Sequence, residues 1–469
     1  MSNLKKQFIS IFKKEHLTKS SNSQDFGRER LRRVIFTILS SILSKGLTTL
    51  VPLITIPFTY DYLGKEIFGL WMTITSFFTF FAFADFGLGS GLITALSKSY
   101  RVDDIHASRR IISSTFFLLI FIALAFLLLF LLSYSFIPWK SLLNITSNEL
   151  AKLAALVVLF VFIPQIIQMP FSIVQRVQLA VQEGYYTNIW QTAAALINLV
   201  SIIIITQLDL GIKVLIFIVS LIPIIMMILN WLSFFTIHHK DLYPRIHDWN
   251  SKKSLALLKM GIGFAFLTLL LTLGLWLDNV IVAQTCSLSD VATYSVVSRM
   301  SSVIYVVLGM ICMPFWSANA EAFARGDNEW VRKMIKRVVI IAFSFILFLE
   351  IFIVWLGPQI FHLWIGETFE VSRFLLIGFA LRELIFAIAS PYFMVLNSIG
   401  KVGIQIRMFL IFSVISILLK YIVPYWFGMT GIIYVTPICY SIIILPCLFI
   451  VVKNILSAKS QQCFNVRCA

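Results

Sequence analysis

The chain has 469 residues, of which 59% are apolar and only 13% charged, against about 45–50% and about 25% in soluble chains. That leaves too little polar surface to cover a soluble body, so these proportions exclude a soluble globular protein and make lipid the solvent for most of the surface. The formal charge of +16 would suggest a nucleic-acid partner in a soluble chain, but Lys and Arg gather in the cytoplasmic loops of any many-spanning membrane protein, and no nucleic-acid-binding motif is present.

In chain order, residues 1–33 are polar and basic with no apolar signal-like run, and are read as a cytoplasmic leader. Apolar stretches long enough to cross a bilayer, roughly 20 residues, then recur near 34–60, 67–92, 112–137, 153–176, 185–207, 212–236, 256–283, 291–318, 336–356, 374–397, 404–426 and 431–452. They predict an all-α polytopic membrane protein with twelve transmembrane helices. The expected order is an N-terminal six-helix bundle over 34–238, a cytoplasmic linker over 239–255, a C-terminal six-helix bundle over 256–453 and a cytoplasmic tail over 454–469.

Charge between the spans tests this order, because a wrong helix count would scramble the alternation of sides. Alternate connections collect 29 Lys and Arg on the side of the termini, whereas the opposite side holds only Lys65, Lys140, Lys152, Lys213 and Arg373. Both termini are therefore expected in the cytoplasm. The connections on the far side are short, which disfavours a membrane polymerase or ligase, and the absence of GxxxxGK[ST] excludes a fused ATPase.

The halves resemble each other. Tyr62–Trp71 can be laid over Cys286–Ser295, Pro170–Gly184 over Pro391–Gly400, and the Asp209-Leu-Gly-Ile run over Met429-Thr-Gly-Ile, all at an offset of about 216 to 224. An even number of spans separates equivalent helices, so the repeats are parallel, as in transporters built from two bundles around a central cavity.

The run Tyr60-Asp-Tyr-Leu-Gly-Lys-Glu-Ile-Phe-Gly-Leu-Trp71, followed by Phe83-Ala-Asp-Phe-Gly-Leu-Gly89, resembles the opening of the polysaccharide-transporter family. This family comprises the Wzx-type O-antigen flippases of the multidrug/oligosaccharidyl-lipid/polysaccharide exporter superfamily. Ala292–Arg299 and Leu396–Lys401 fit the same pattern. The resemblance implies a non-enzymatic carrier in a bacterial cytoplasmic membrane that moves an undecaprenyl-diphosphate-linked oligosaccharide from the inner to the outer leaflet. Its implied partners are that glycolipid and membrane lipids, with H+ or Na+ as candidate coupling ions and polysaccharide polymerase machinery as a candidate partner. The alternatives are a cation-coupled multidrug exporter of related fold and, less favoured, an O-antigen polymerase or ligase.

Four basic residues fall inside the spans: Lys45, Arg299, Arg382 and Lys420. Charge at bilayer depth is costly and marks function unless it is paired or snorkels to the boundary. Ser41, Lys45, Thr48, Thr55 and Thr59 form one stripe of the first span, Ser295, Arg299 and Ser302 one of the eighth, and Arg382, Ser390 and Asn397 one of the tenth. The fourth span carries Gln165, Gln168, Ser172, Gln175 and Gln182, with Arg176 adjoining. Lys45, Arg299, Arg382, Arg176, Gln165 and Gln168 are therefore the candidate substrate-cavity residues, the cations for a diphosphate and the amides for sugar hydroxyls. For Arg382, pairing with Glu383 or Glu350 competes with this role, and Lys420, close to Pro424, is read as snorkelling.

Asp278, Glu350 and Glu383 are the ion-coupling candidates, with a salt bridge to a cavity Lys or Arg as the competing role for Asp278, and Asp85 is read as a helix-end residue. The six cysteines and six histidines show no metal-ligand or catalytic spacing, so no metal, cofactor or catalytic residue is predicted.

Overall fold

The computed structural model describes residues 23–78, 87–101, 104–145, 147–366 and 369–457, so Asp85, the far end of the second predicted span and most of the leader and tail lie outside the described residues. All regular structure among the described residues is helical. In chain order the helices are α1 (Ser23–Phe78), α2 (Leu88–Arg101), α3 (Ile105–Ser133), α4 (Trp139–Leu142), α5 (Asn148–Phe171), α6 (Ile173–Ala180), α7 (Tyr185–Gln207) and α8 (Ile212–Leu232). They continue with α9 (Ser251–Leu275), α10 (Asp278–Thr285), α11 (Leu288–Ala324), α12 (Asn328–Ile365), α13 (Arg373–Ser398), α14 (Val402–Ile422), α15 (Pro424–Cys439) and α16 (Leu445–Ser457).

Among the described residues ten helical stretches are long and apolar enough to cross a bilayer, or eleven with the bent pair counted as one, and the breaks fall where the sequence permits them. α1 holds the first span and the start of the second: Gly64 takes φ 71° and ψ 164°, which glycine reaches without strain, and the helix restarts beyond it. The seventh span is broken, Gly261–Leu275 meeting Asp278–Thr285 at 41°. The twelfth runs as Pro424–Ser457.

The described chain forms two compact units. The first gathers residues up to Pro52, Asp85–Phe136 and Leu159–Ile262. Its core is made by Leu88, Leu92 and Leu96, spaced one turn apart on α2, against Ile112 and Phe116 of α3 and Val174 and Val177 of α6. Phe116 stacks on Trp231 with ring centroids 5.3 Å apart. Backbone amides of Arg245 and Asn250 donate to Ser113 and Ser114, tying the connection after α8 to α3.

The second unit comprises Leu53–Ala84, Ile137–Val158 and the chain from Gly263 onward. Its core runs through Ile304, Leu308, Ala342, Ala387, Phe412 and Leu448. Here Leu53–Phe78 of α1 packs on α11: a β-carbon at Gly69 would fall on the Leu288 carbonyl, so the backbones meet only because this residue is glycine. These are the segments that the sequence repeat equates. The repeat also shows in chain reversals, since Gln182 and Gly400 both take positive φ, 63° and 68°, at the ends of matched segments.

Candidate substrate and ion sites

In the first unit, α5 and α6 bring Gln168 and Gln175 to one face, seven residues or two turns apart. They line a pocket of ≈ 340 Å³ together with Thr48, Trp190, Gln191 and Asn230, closed on its apolar side by Pro223 and Met226. The amides of Gln168, Gln175 and Gln191 bond to no other described residue, so their donors and acceptors are open to a ligand.

A buried amide cluster holds the floor of this pocket. Gln178 donates to Asn230 Oδ1 at 2.7 Å and accepts from Thr187 at 2.6 Å, joining α6, α7 and α8. Asn188 spans to the hydroxyls of Ser40 and Ser41, both at 2.8 Å, and so ties α7 to α1. Lys45 stands one turn before Thr48 on α1, exposed, and its ammonium pairs with no described residue. Gln165 and Arg176 are exposed and are not among the pocket's lining residues.

The predicted stripe on the first span divides. Ser41, Lys45 and Thr48 belong to the first unit, whereas Thr55 and Thr59 are buried in the second. There Thr59 returns its hydroxyl to the Thr55 carbonyl at 2.9 Å, the usual solution for a threonine inside a helix.

The second unit holds the remaining intramembrane charges. Arg382 donates to Glu383 Oε1 through Nη2 at 2.7 Å and Nε at 3.1 Å, and its guanidinium lies 4.7 Å from the centre of the Phe379 ring. Glu350 is buried within electrostatic reach of Glu383 and Arg382. One oxygen of each carboxylate, Glu350 Oε1 and Glu383 Oε2, is buried with no hydrogen-bond partner among the described residues. Arg299 is exposed on α11 and forms no ion pair with a described residue, and Ser302 caps its carbonyl at 2.6 Å. Ser295, one turn earlier, is buried, and its hydroxyl has no hydrogen-bond partner among the described residues.

Lys420 overturns its expected snorkelling. Its side chain is fully buried, and its ammonium donates to Asp278 Oδ1 at 2.6 Å and to the Gly274 carbonyl at 2.8 Å. The cause is the break at Trp276–Leu277, which leaves carbonyls at the end of α9 without helical N–H donors and creates a buried demand for a cation. Asp278 opens α10, where a carboxylate is favoured, and also accepts from Tyr294 at 2.6 Å. The four intramembrane cations therefore divide into two neutralised by carboxylates, Arg382 and Lys420, and two with no acidic partner among the described residues, Lys45 and Arg299.

Trp190, Gln191 and Asn230 were not among the residues that the sequence pattern selects. For Trp190 and Gln191 the signal is the polar start of the fifth predicted span, Thr187-Asn-Ile-Trp-Gln191, and for Asn230 a lone amide in the apolar sixth, both of which a search for charged residues passes over. His239, at the end of a π-helical turn (Ser233–His238), bonds to Glu183 Oε2 at 2.9 Å. Among the described residues no group of His, Cys, Asp and Glu could hold a metal ion.

The family model described as "Polysaccharide biosynthesis protein" matches residues 35–317. A Yersinia pseudotuberculosis protein named for O-antigen export is 24% identical over 374 residues, covering 76% of this chain and 82% of that protein. A Salmonella typhi protein named as an O-antigen transporter is 24% identical over 64% of this chain and 68% of its own. Among solved structures, an inward-facing multidrug-resistance MATE transporter of the MOP superfamily matches with a TM-score of 0.75 at 16% identity, covering 88% of this chain and 96% of that one. This likeness gives the chain the fold of that superfamily.

Proposed function

Because the chain belongs to the polysaccharide biosynthesis protein family, we propose that it is a flippase carrying an undecaprenyl-diphosphate-linked oligosaccharide from the inner to the outer leaflet of a bacterial cytoplasmic membrane. The observation that carries this reading is the division of the intramembrane cations. Lys420 and Arg382 are matched by carboxylates, whereas Lys45 and Arg299 have no acidic partner among the described residues. A cation held in a span without a counter-ion is suited to an anionic cargo, and a diphosphate supplies that charge with strong acceptor oxygens. A carrier of cationic drugs would instead require uncompensated carboxylates facing its cargo, and the one surplus carboxylate, Glu350, is buried.

The pocket of Gln168, Gln175, Gln191 and Trp190 supplies the complementary chemistry. Open amides bind hydroxyls in both directions, and a half-exposed indole offers an apolar face to a sugar ring. Lys45, one turn from Thr48, puts positive charge beside this pocket, as a glycosyl diphosphate requires. Transport proceeds by alternating access of bundles 34–238 and 256–453, with both termini cytoplasmic. Coupling to H+ is assigned to Glu350 and Glu383, because Asp278 is already neutralised by Lys420 while these two carboxylates have one Arg382 between them, in contact with Glu383 and only within electrostatic reach of Glu350.

The deciding experiment uses a strain whose own exporter has been deleted and measures outer-leaflet glycolipid by its accessibility to a periplasmically applied sugar-specific lectin. Lys45→Gln and Arg299→Gln should abolish or greatly reduce delivery at near-normal protein abundance, and Lys45→Arg should retain part of it. Wild-type delivery by both Gln variants at normal abundance refutes the anionic-cargo assignment.

A further inference from the structure

A second cavity lies in a part of the molecule that the transport reading does not use. In the second unit, α12, α13 and α16 enclose a groove of ≈ 560 Å³. Arg332 and Lys336, one turn apart near the start of α12, face Lys453 near the end of α16. The two helix ends therefore bring three cations to one mouth of the groove. All three side chains are exposed, and none forms an ion pair or hydrogen bond with a described residue. Lys333, beside them, is by contrast held by Glu329 at 2.6 Å.

Away from this mouth the lining turns apolar. Along α12 it passes through Ile335 and Val339 to Ile340, and along α16 it passes through Val452 to Phe449. Ile340 and Phe449 are exposed, 54% and 41%, so the groove opens sideways at its apolar end. Tyr392 of α13 lies between the two regions, its ring 4.9 Å from that of Phe449 and its hydroxyl bonded to no described residue.

Each feature selects against a simpler occupant. A free anion would satisfy the three cations and leave the apolar trough empty. A neutral or zwitterionic amphiphile would fill the trough and leave net positive charge at the mouth. An amphiphile with an anionic phosphate head and a hydrocarbon chain satisfies both, and the tyrosyl hydroxyl stands where the head meets the chain, able to donate to an ester or phosphate oxygen. The lateral opening admits a chain from the bilayer itself. We propose that this groove binds an anionic glycerophospholipid of the surrounding membrane, its phosphate on Arg332, Lys336 and Lys453 and one acyl chain along Val339 and Phe449.

The test is native mass spectrometry of the full chain in neutral detergent, titrated with dioleoylphosphatidylglycerol or with dioleoylphosphatidylcholine, which share their acyl chains and differ in head-group charge. The wild-type protein should retain the first lipid at concentrations about tenfold or more below the second. The triple variant Arg332→Gln, Lys336→Gln, Lys453→Gln should lose that preference. A control lacking three exposed cations elsewhere, Lys140→Gln, Lys152→Gln, Lys213→Gln, should keep it.

Equal retention of the two lipids by the wild-type protein overturns the proposal, as does equal loss of preference in the control, which would reduce the effect to overall charge. One-for-one displacement of the phospholipid by a polyprenyl diphosphate at lower concentration would assign the groove to the cargo and likewise overturn it. If the triple variant does not accumulate, the single pair decides. Lys453→Gln should weaken and Lys453→Arg preserve the preference, and identical behaviour of the two refutes the head-group contact.

Discussion

Lys420 donates to the Asp278 carboxylate at 2.6 Å although the two residues are 142 positions apart in the chain. The same ammonium reaches the Gly274 carbonyl, so one side chain closes the break between α9 and α10 and neutralises the carboxylate that opens α10. Removing one member of such a buried pair leaves the other uncompensated, at a cost of about 3–5 kcal/mol. Lys420→Met should therefore sharply lower abundance and thermal stability in detergent. Lys420→Met with Asp278→Asn should recover much of both, since an uncharged side chain needs no counter-ion. A double variant no more stable than the single one would show that the pair is not the source of the loss.

The amide cluster beneath the pocket gives a second stability test with a functional readout. Gln178→Leu removes the partner of both Thr187 and Asn230, and a buried polar group left unsatisfied costs about 1–3 kcal/mol. Because Asn230 lines the pocket and Gln178 does not, the variant should lose thermal stability and also weaken glycolipid transport through displacement of Asn230. Gln175→Ala, which removes an amide with no partner among the described residues, should leave stability within about 0.5 kcal/mol while reducing transport. Thermal unfolding and lectin accessibility measured on the same two variants separate these effects.

The spans were legible in the sequence because bilayer thickness fixes the length of an apolar run. The break in the seventh span was not, since Leu275-Trp-Leu277 continues the apolar run and hydropathy registers no interruption there. The fate of Lys420 was hidden for the same reason: its place near Pro424 suggested a boundary, and the acceptor that draws it inward exists only because α9 ends at Leu275. Pairing of Arg382 with Glu383 was readable from adjacency. The amide pocket was half readable, Gln168 and Gln175 from their spacing along the fourth predicted span, Trp190 and Asn230 only once α7 and α8 had been packed beside it.

The carboxylates Glu350 and Glu383 share Arg382, and with Asp278 and Lys420 they form a buried set of three acids and two bases. The surplus acid is the reason to assign proton exchange to this pair. Glu350→Gln removes the surplus without orphaning a cation, because Arg382 keeps its two-donor contact with Glu383 Oε1. Abundance should hold or rise, while glycolipid transport in proteoliposomes should lose its response to an imposed pH gradient. An unchanged response would move the coupling site elsewhere.

Asn144 offers a chemical probe of the second unit. With φ at 51°, a conformation asparagine tolerates, its side-chain amide reaches the carbonyls of Ala283 at 3.2 Å and Cys286 at 3.4 Å and so ties the α4 segment to the end of α10. Burial pushes the Cys286 thiol above its ordinary range, and the nearby Asp290 adds to this while the Thr285 hydroxyl opposes it. A raised thiol pKa means less thiolate at a given pH, and thiolate is the reactive form. Cys286 should therefore alkylate slowly with a maleimide at pH 7, measured by peptide mass spectrometry in a protein whose Cys447, Cys463 and Cys468 have been replaced by Ser. Asn144→Ala removes the tie, exposes the thiol and lets its pKa fall toward the ordinary value, so the rate should rise several-fold at pH 7 and by a smaller factor at pH 9, where an unperturbed thiol is already largely ionised. Asn144→Gly keeps the backbone conformation but loses the amide and should match Asn144→Ala. Rates equal to that of the parent in both variants would mean that the end of α10 is held without Asn144.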